Sequence, residues 1–120
     1  MDYFLDTYAL IEIAKGNLAY QKYQERSIVT LRYNLAELYY ILLKDYDKKT
    51  ADFFLDKFAK IAAELPFNVI SSAMEFKLKN KNTNFSYIDC LGYAYSLEEK
   101  RIFLTGDRAF SAMKNAEIVR

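Results

Sequence analysis

The sequence predicts an α/β fold, a three-layer α/β/α sandwich around a central parallel sheet of four to five strands. Three observations point there. Short β-branched or aromatic runs alternate with longer stretches of helical periodicity, the order that calls for crossover connections and a parallel sheet covered on both faces. The 120 residues are 52% hydrophobic and 17% aromatic, enough for a real core. Only 3 Gly and 1 Pro interrupt them, which excludes a linker-like chain. The length is that of one domain spanning residues 1–120.

The elements follow in order. Tyr3-Phe4-Leu5 is a brief apolar run closed by Asp6 and reads as the first strand. Residues 7–15 carry Leu10, Ile11, Ile13 and Ala14 at helical positions, and Gly16 supplies a stop. A short helix is expected around Ala19–Arg26. Ser27-Ile28-Val29-Thr30 is β-branched and reads as a strand. Leu35, Leu38, Tyr39, Leu42 and Leu43 form one stripe of a long helix. Ala51, Phe54, Leu55, Phe58, Ala62 and Leu65 repeat that pattern as far as Pro66. Phe67-Asn68-Val69-Ile70 is expected to be a strand, and Ser72-x-x-Glu75 a capping box opening a short helix. After a polar connection over 79–84, Ser86 opens a helix with Ile88, Leu91, Gly92 and Tyr95 on one face. Arg101-Ile102-Phe103-Leu104-Thr105 is strand-like, Gly106-Asp107 is a turn, and Glu117-Ile118-Val119 is a last strand.

Composition narrows the chemistry. There is no histidine and only one cysteine, Cys90. Ser-His-Asp and Cys-His catalysis, histidine-ligated zinc and an internal disulfide are therefore excluded. Hydrolysis must rest on carboxylates, Lys, Tyr, Ser or Thr, and carboxylates with a hard divalent metal are the common solution. The net charge of +1 is too small for an electrostatically driven nucleic-acid binder, though a nucleic-acid substrate fits if metal neutralises several acids. No apolar run approaches the ~18 residues of a membrane span, and the N-terminus lacks the basic start and apolar stretch of a signal peptide. The expectation is a soluble, cytoplasmic protein without a membrane partner.

In parallel α/β sheets, ligands sit outside the carboxyl ends of the strands. Asp6 follows the first strand, Asp107 lies two residues after Thr105, Glu37 falls in the first turns after the Ser27–Thr30 strand, and Asp89 lies in the first turn of the helix from Ser86. Each acid also has a purely local reading. Asp6 fits a helix cap, Asn34/Glu37 and Ser86/Asp89 have capping-box spacing, and Asp107 fits a turn. Together at one crevice, four carboxylates would repel one another and raise some pKa values unless a cation joined them.

The segments Phe4-Leu5-Asp6-Thr7-Tyr8-Ala9-Leu10, Asn34-Leu35-Ala36-Glu37-Leu38, Phe85-Ser86-Tyr87-Ile88-Asp89-Cys90 and Phe103-Leu104-Thr105-Gly106-Asp107-Arg108-Ala109-Phe110 resemble, in type and order, the PIN domain. Length and element order are similar to those of compact VapC-type toxins of toxin–antitoxin pairs. The resemblance implies an α/β/α ribonuclease that cuts RNA with Mg²⁺ or Mn²⁺. By motif, Asp6, Glu37, Asp89 and Asp107 would form the acidic quartet that ligates metal and performs catalysis, and Thr105 would be a supporting hydroxyl. Many family members carry a further acid two positions after the Thr-Gly-Asp aspartate; Ala109 stands there, a departure that bears on a second metal position. The resemblance also implies a homodimer held inactive by a small antitoxin, whose peptide lies in an apolar groove with an Arg reaching the acids. The 11 Tyr and 9 Phe are compatible with such a groove, and core packing is the ordinary role of most.

Other residues have two readings each. Lys77, Lys79 and Lys81 fit either RNA phosphate contacts or a solvated helix end. Arg108 fits a phosphate contact or an ion pair. Cys90 reads as a small core residue, and Tyr87 and Tyr93 as base-stacking or buried rings. Two other functions compete with the ribonuclease. A phospho-acceptor receiver domain wants an acceptor Asp after the third strand and a Lys after the last core strand, and neither is present. A non-catalytic interaction module on the same fold is the remaining alternative.

Overall fold

The computed structural model describes residues 2–120. Five strands form one sheet: β1 (Asp2–Leu5), β2 (Ser27–Leu31), β3 (Ala62–Ala63), β4 (Ile102–Thr105) and β5 (Ala116–Ile118). Their order is β3-β2-β1-β4-β5, with every neighbouring pair parallel. The helices are α1 (Thr7–Ala14), α2 (Arg32–Asp45), α3 (Lys48–Ala59), α4 (Phe67–Lys79) and α5 (Tyr87–Glu98), with 3₁₀ turns at Leu18–Glu25 and Arg108–Phe110. The three-layer α/β/α class is as expected.

Side chains alternate across the sheet, so each strand feeds two cores. Tyr3, Leu5 and Leu104 pack with Leu10, Leu35, Leu38, Leu42 and Phe58, residues of α1, α2 and α3. Phe4, Val29, Leu31 and Phe103 face the other way, onto Val69, Ala73, Cys90 and Tyr93 of α4 and α5. Aromatic contacts dominate the second core. The Phe4 and Phe103 rings stack 5.7 Å apart, and Phe103 to Phe110 is 4.6 Å. Core packing thus accounts for many of the aromatics, and Cys90 is a fully buried member of it. A Cβ added at Gly92 would stand 2.8 Å from a Phe4 ring carbon, so glycine is what lets α5 approach β1.

Three expectations need correction. Phe67–Ile70 is not a strand but the first turn of α4. Phe67 is 90% exposed and Ile70 39%, whereas Val69 and Ala73, four apart, are buried. That is helical spacing, and Pro66, extended at φ −65° and ψ 145°, serves as the N-cap residue where its missing N–H costs nothing. Second, the Ser72-x-x-Glu75 capping box does not form, because both residues lie inside α4; the Ser71 and Ser72 hydroxyls bond back to the Asn68 carbonyl. Third, the helix of residues 51–65 stops at Ala59, and the two residues Ala62–Ala63 supply the third strand, paired with Thr30 and Leu31. The segment expected as a helix near Ala19–Arg26 is a 3₁₀ helix over Leu18–Glu25.

That 3₁₀ segment clamps the C-terminal edge. The Tyr20 hydroxyl donates to the Val119 carbonyl at 2.5 Å, and the Tyr23 hydroxyl donates to the Glu117 carboxylate. Gly16, at φ +79°, ends α1 as expected.

Candidate active site

The chain leaves β1 for β2 on one side and receives β4 on the other, so the strand order reverses between β1 and β4 at their carboxyl ends. A crevice is expected at such a switch point. Asp6 lies at the end of β1 and Asp107 just beyond β4, and the Asp6 N–H donates to the Leu104 carbonyl. Glu37 sits on α2, two turns in, and Asp89 in the first turn of α5. Asp6, Glu37, Asp89 and Asp107 all line one cavity of about 460 Å³. Thr7, Tyr8, Gly106, Arg108 and Arg120 contribute to the same wall. A larger depression of about 650 Å³ opens beside Tyr23 and Val119, but its lining has no converging acids.

The local readings of three acids are realised as well. The Ala9 N–H donates to Asp6 Oδ1 at 2.9 Å, capping α1. Asp89 Oδ2 accepts from the Ser86 N–H at 2.9 Å, while Ser86 Oγ accepts from the Asp89 N–H, a complete capping box. The Ala109 N–H donates to Asp107 Oδ1 at 2.9 Å. Each aspartate spends one oxygen on a backbone N–H, which restricts its rotamer while the residue lines the cavity. Glu37 differs. Helix α2 begins at Arg32 with Leu31 as N-cap, so Asn34 and Glu37 lie within the helix and form no capping box. Asn34 is instead buried and donates through Nδ2 to Thr7 Oγ1 at 3.1 Å, tying α2 to α1.

Electrostatics mark Asp6 as the strained member. It is 4% exposed, and its pKa rises from 3.8 to about 7, first through desolvation and then through repulsion by Asp89 and Asp107. Hydrogen bonds from the Thr105 side chain and the Ala9 N–H oppose the rise. Thr105, fully buried at the end of β4, also accepts from the Asp107 N–H at 3.0 Å, so one hydroxyl connects two of the acids. The Asp89 carboxyl is also raised, mainly by desolvation, with Asp107 adding to the rise and Lys77 opposing it.

The donor set is all oxygen, suited to a hard divalent cation. Among the described residues, no three His, Cys, Asp or Glu side chains stand close enough to hold one ion together. The acids therefore share a cavity without closing into a ligand cluster. Lys79 does not line this cavity, whereas Arg108 does. Arg120 was not foreseen. Only the pairing of β5 with β4 brings it there, and nothing in its local sequence signals that. Tyr8 forms part of the same wall; a Cβ at Gly106 would stand 2.0 Å from its ring, so the Thr-Gly-Asp glycine makes room for it.

The PIN domain family model matches residues 3–116. The chain belongs to the PIN domain family. Solved structures agree on the fold of this PIN domain. VapC20 of Mycobacterium tuberculosis, described as a sarcin-ricin loop cleaving toxin, superposes with a TM-score of 0.79 at 14% identity, covering 92% of this chain and 93% of that one. A chain of VapBC2 from Rickettsia felis, solved bound to a promoter DNA fragment, gives 0.79 at 20% identity with 100% of both chains covered. A toxin–antitoxin complex from Klebsiella pneumoniae gives 0.74 at 12% identity, covering 96% and 95%. A comparison with curated protein sequences gives no match.

Proposed function

We propose that this PIN domain is a metal-dependent endoribonuclease, the toxin of a toxin–antitoxin pair, which hydrolyses RNA phosphodiester bonds with Mg²⁺ or Mn²⁺. The observation that carries the reading is the convergence of Asp6, Glu37, Asp89 and Asp107, from four separate elements, on one cavity at the strand-order reversal. The raised pKa of Asp6 supports it, since a buried carboxyl beside two others is a poor anion alone and a good ligand for a cation. Family membership and the likeness to toxin structures support the same reading, including a small antitoxin as protein partner and a cytoplasmic setting. Among the described residues, no helix is long and apolar enough to cross a membrane.

Asp6, Asp89 and Asp107 would hold the cation directly or through bridging water, with Glu37 lining the same cavity. A divalent cation there would supply charge stabilisation for the phosphoryl group and make water more acidic. Glu37 orients the attacking water and takes its proton. Thr105 keeps Asp6 and Asp107 in register from behind. Arg108 and Arg120 face the phosphate from the cavity wall and offset its charge. Purified protein should cleave RNA with Mg²⁺ or Mn²⁺, stop when chelator is added, and lose activity on Asp6→Asn. Cleavage persisting in that variant rejects the assignment.

The open spacing of the acids favours a second reading, a PIN-fold interaction module with weak or no catalysis. Calorimetric titration separates the two: heat on adding Mn²⁺ to wild type but not to Asp6→Asn supports the enzyme, and no heat in either supports the module.

A further inference from the structure

The acidic cavity uses Asp89 but leaves its near neighbour Tyr87 unexplained. Tyr87 is 65% exposed at the first position of α5, a helix whose other tyrosines, Tyr93 and Tyr95, are buried. Its ring is nonetheless held. Lys77 Nζ lies 4.6 Å from the ring centroid, and the same ammonium donates to the Phe85 carbonyl at 2.7 Å. A cation fixed in this way pins the ring to the C-terminal end of α4 and restricts its motion. The ring borders a cavity of about 310 Å³ lined by Met74, Lys77, Leu78, Lys81 and Tyr87. That lining carries two cations and no acid, so it complements a polyanion. It lies on the same side of the molecule as the Asp89 end of the acidic cavity: Tyr87 and Asp89 are two residues apart in the first turn of α5, and the charge of Lys77, which lines this cavity, is felt at Asp89.

We propose that Tyr87, Lys77 and Lys81 form a subsite that stacks one base of single-stranded RNA and holds a flanking phosphate, beside the acidic cavity. The subsite rests on the ribonuclease reading and names how its substrate is gripped. Every base offers a π-face, so such a platform binds without strict sequence preference. Lys81, exposed at the rim, acts as a point charge on the backbone.

The test is fluorescence anisotropy with a labelled single-stranded oligoribonucleotide, in an Asp6→Asn background that keeps the RNA intact. Tyr87→Ala should weaken binding roughly 5- to 150-fold, the range for loss of one base–aromatic stack, while Tyr87→Phe binds as before. Lys81→Ala should lower the slope of log affinity against log salt by about 0.7, a change that Tyr87→Ala does not produce. RNA with abasic positions should be insensitive to Tyr87→Ala. Equal affinity of Tyr87→Ala and its parent for intact RNA overturns the subsite, as does absence of RNA binding by the parent. Tyr87 is largely solvent-exposed, and circular dichroism of Tyr87→Ala confirms that it folds. Cleavage by the chain with native Asp6 is scored separately. RNA held through Tyr87 but never cut leaves the subsite standing and sinks the ribonuclease reading; cutting with no dependence of affinity on Tyr87 does the reverse.

Discussion

Asp6 serves two opposed purposes. Its Oδ1 caps α1, yet burial and two neighbouring carboxylates push its pKa up to about 7. In the metal-free folded chain it keeps its proton until near pH 7, whereas in the unfolded chain it releases it near 3.8. The folded state therefore binds more protons across that interval, and Asp6 lowers stability as pH rises through it. Asp6→Asn keeps a capping oxygen and removes the charge. At pH 8 without metal, this variant should unfold at higher urea than wild type, by about 2–4 kcal/mol, with the difference shrinking toward pH 4. Its nuclease activity should fall at least about a hundred-fold, well beyond the usual effect of losing a supporting residue. Thr105→Val tests such support. The methyl fills the space but neither donates to Asp6 nor accepts from the Asp107 N–H, and cleavage should drop about 10- to 100-fold. At this scale the sequence was informative about which acids face the cavity, since Asp6 and Asp107 follow strands, Asp89 opens a helix and Glu37 lies early in the helix that follows β2. It was silent on Arg120, whose place depends on pairing of β5 with β4 rather than on any local pattern.

Among the elements, α5 joins core to chemistry. Its first turn presents Asp89 and Tyr87, and its middle lies against β1 through Gly92. Gly92→Ala would drive a methyl into the Phe4 ring and should lower stability by about 1–3 kcal/mol, read as a lower denaturant midpoint with an unchanged slope. A protein that still folds should retain most of its activity, because Gly92 lines no part of the acidic cavity. The elements also show where local pattern misleads. Phe67-Asn68-Val69-Ile70 has the composition of a strand, but Pro66 and the four-residue interval from Val69 to Ala73 make it helical. The strand that occupies the sheet edge, Ala62–Ala63, is two residues long and has no β-forming composition. Its pairing with Thr30 and Leu31 holds it, a tertiary effect that propensity does not carry. Buried strands β1, β2 and β4 were legible because their side chains fill both cores and must be apolar on both faces.

For the molecule as a whole, the order β3-β2-β1-β4-β5 places the chain's most buried strands beneath its most charged crevice. Binding of a cation to the folded state alone should raise the melting temperature by mass action, with about 2.7 kcal/mol gained at a hundred times the dissociation constant. Thermal scans with Mg²⁺ or Mn²⁺ should show the shift in wild type and not in Asp6→Asn. Away from the crevice, Tyr40, Tyr46 and Phe53 stand more than half exposed on α2, α3 and their connection. Rings so placed suit a protein partner or a second copy. Sedimentation equilibrium tests the homodimer, expected as one species of twice the 14.1 kDa chain mass.

The shared duty of the aspartates also shapes how inactive alleles would look in a genetic screen. Changing Asp6, Asp89 or Asp107 to Ala strips a helix or turn of its cap together with the carboxylate proposed to hold the cation, so such alleles should surface as poorly accumulating protein. Changing the same positions to Asn keeps the backbone tethered. Harmless but abundant survivors should therefore be enriched in amides at these three codons, whereas Glu37, which caps nothing, should tolerate Ala and amide alike.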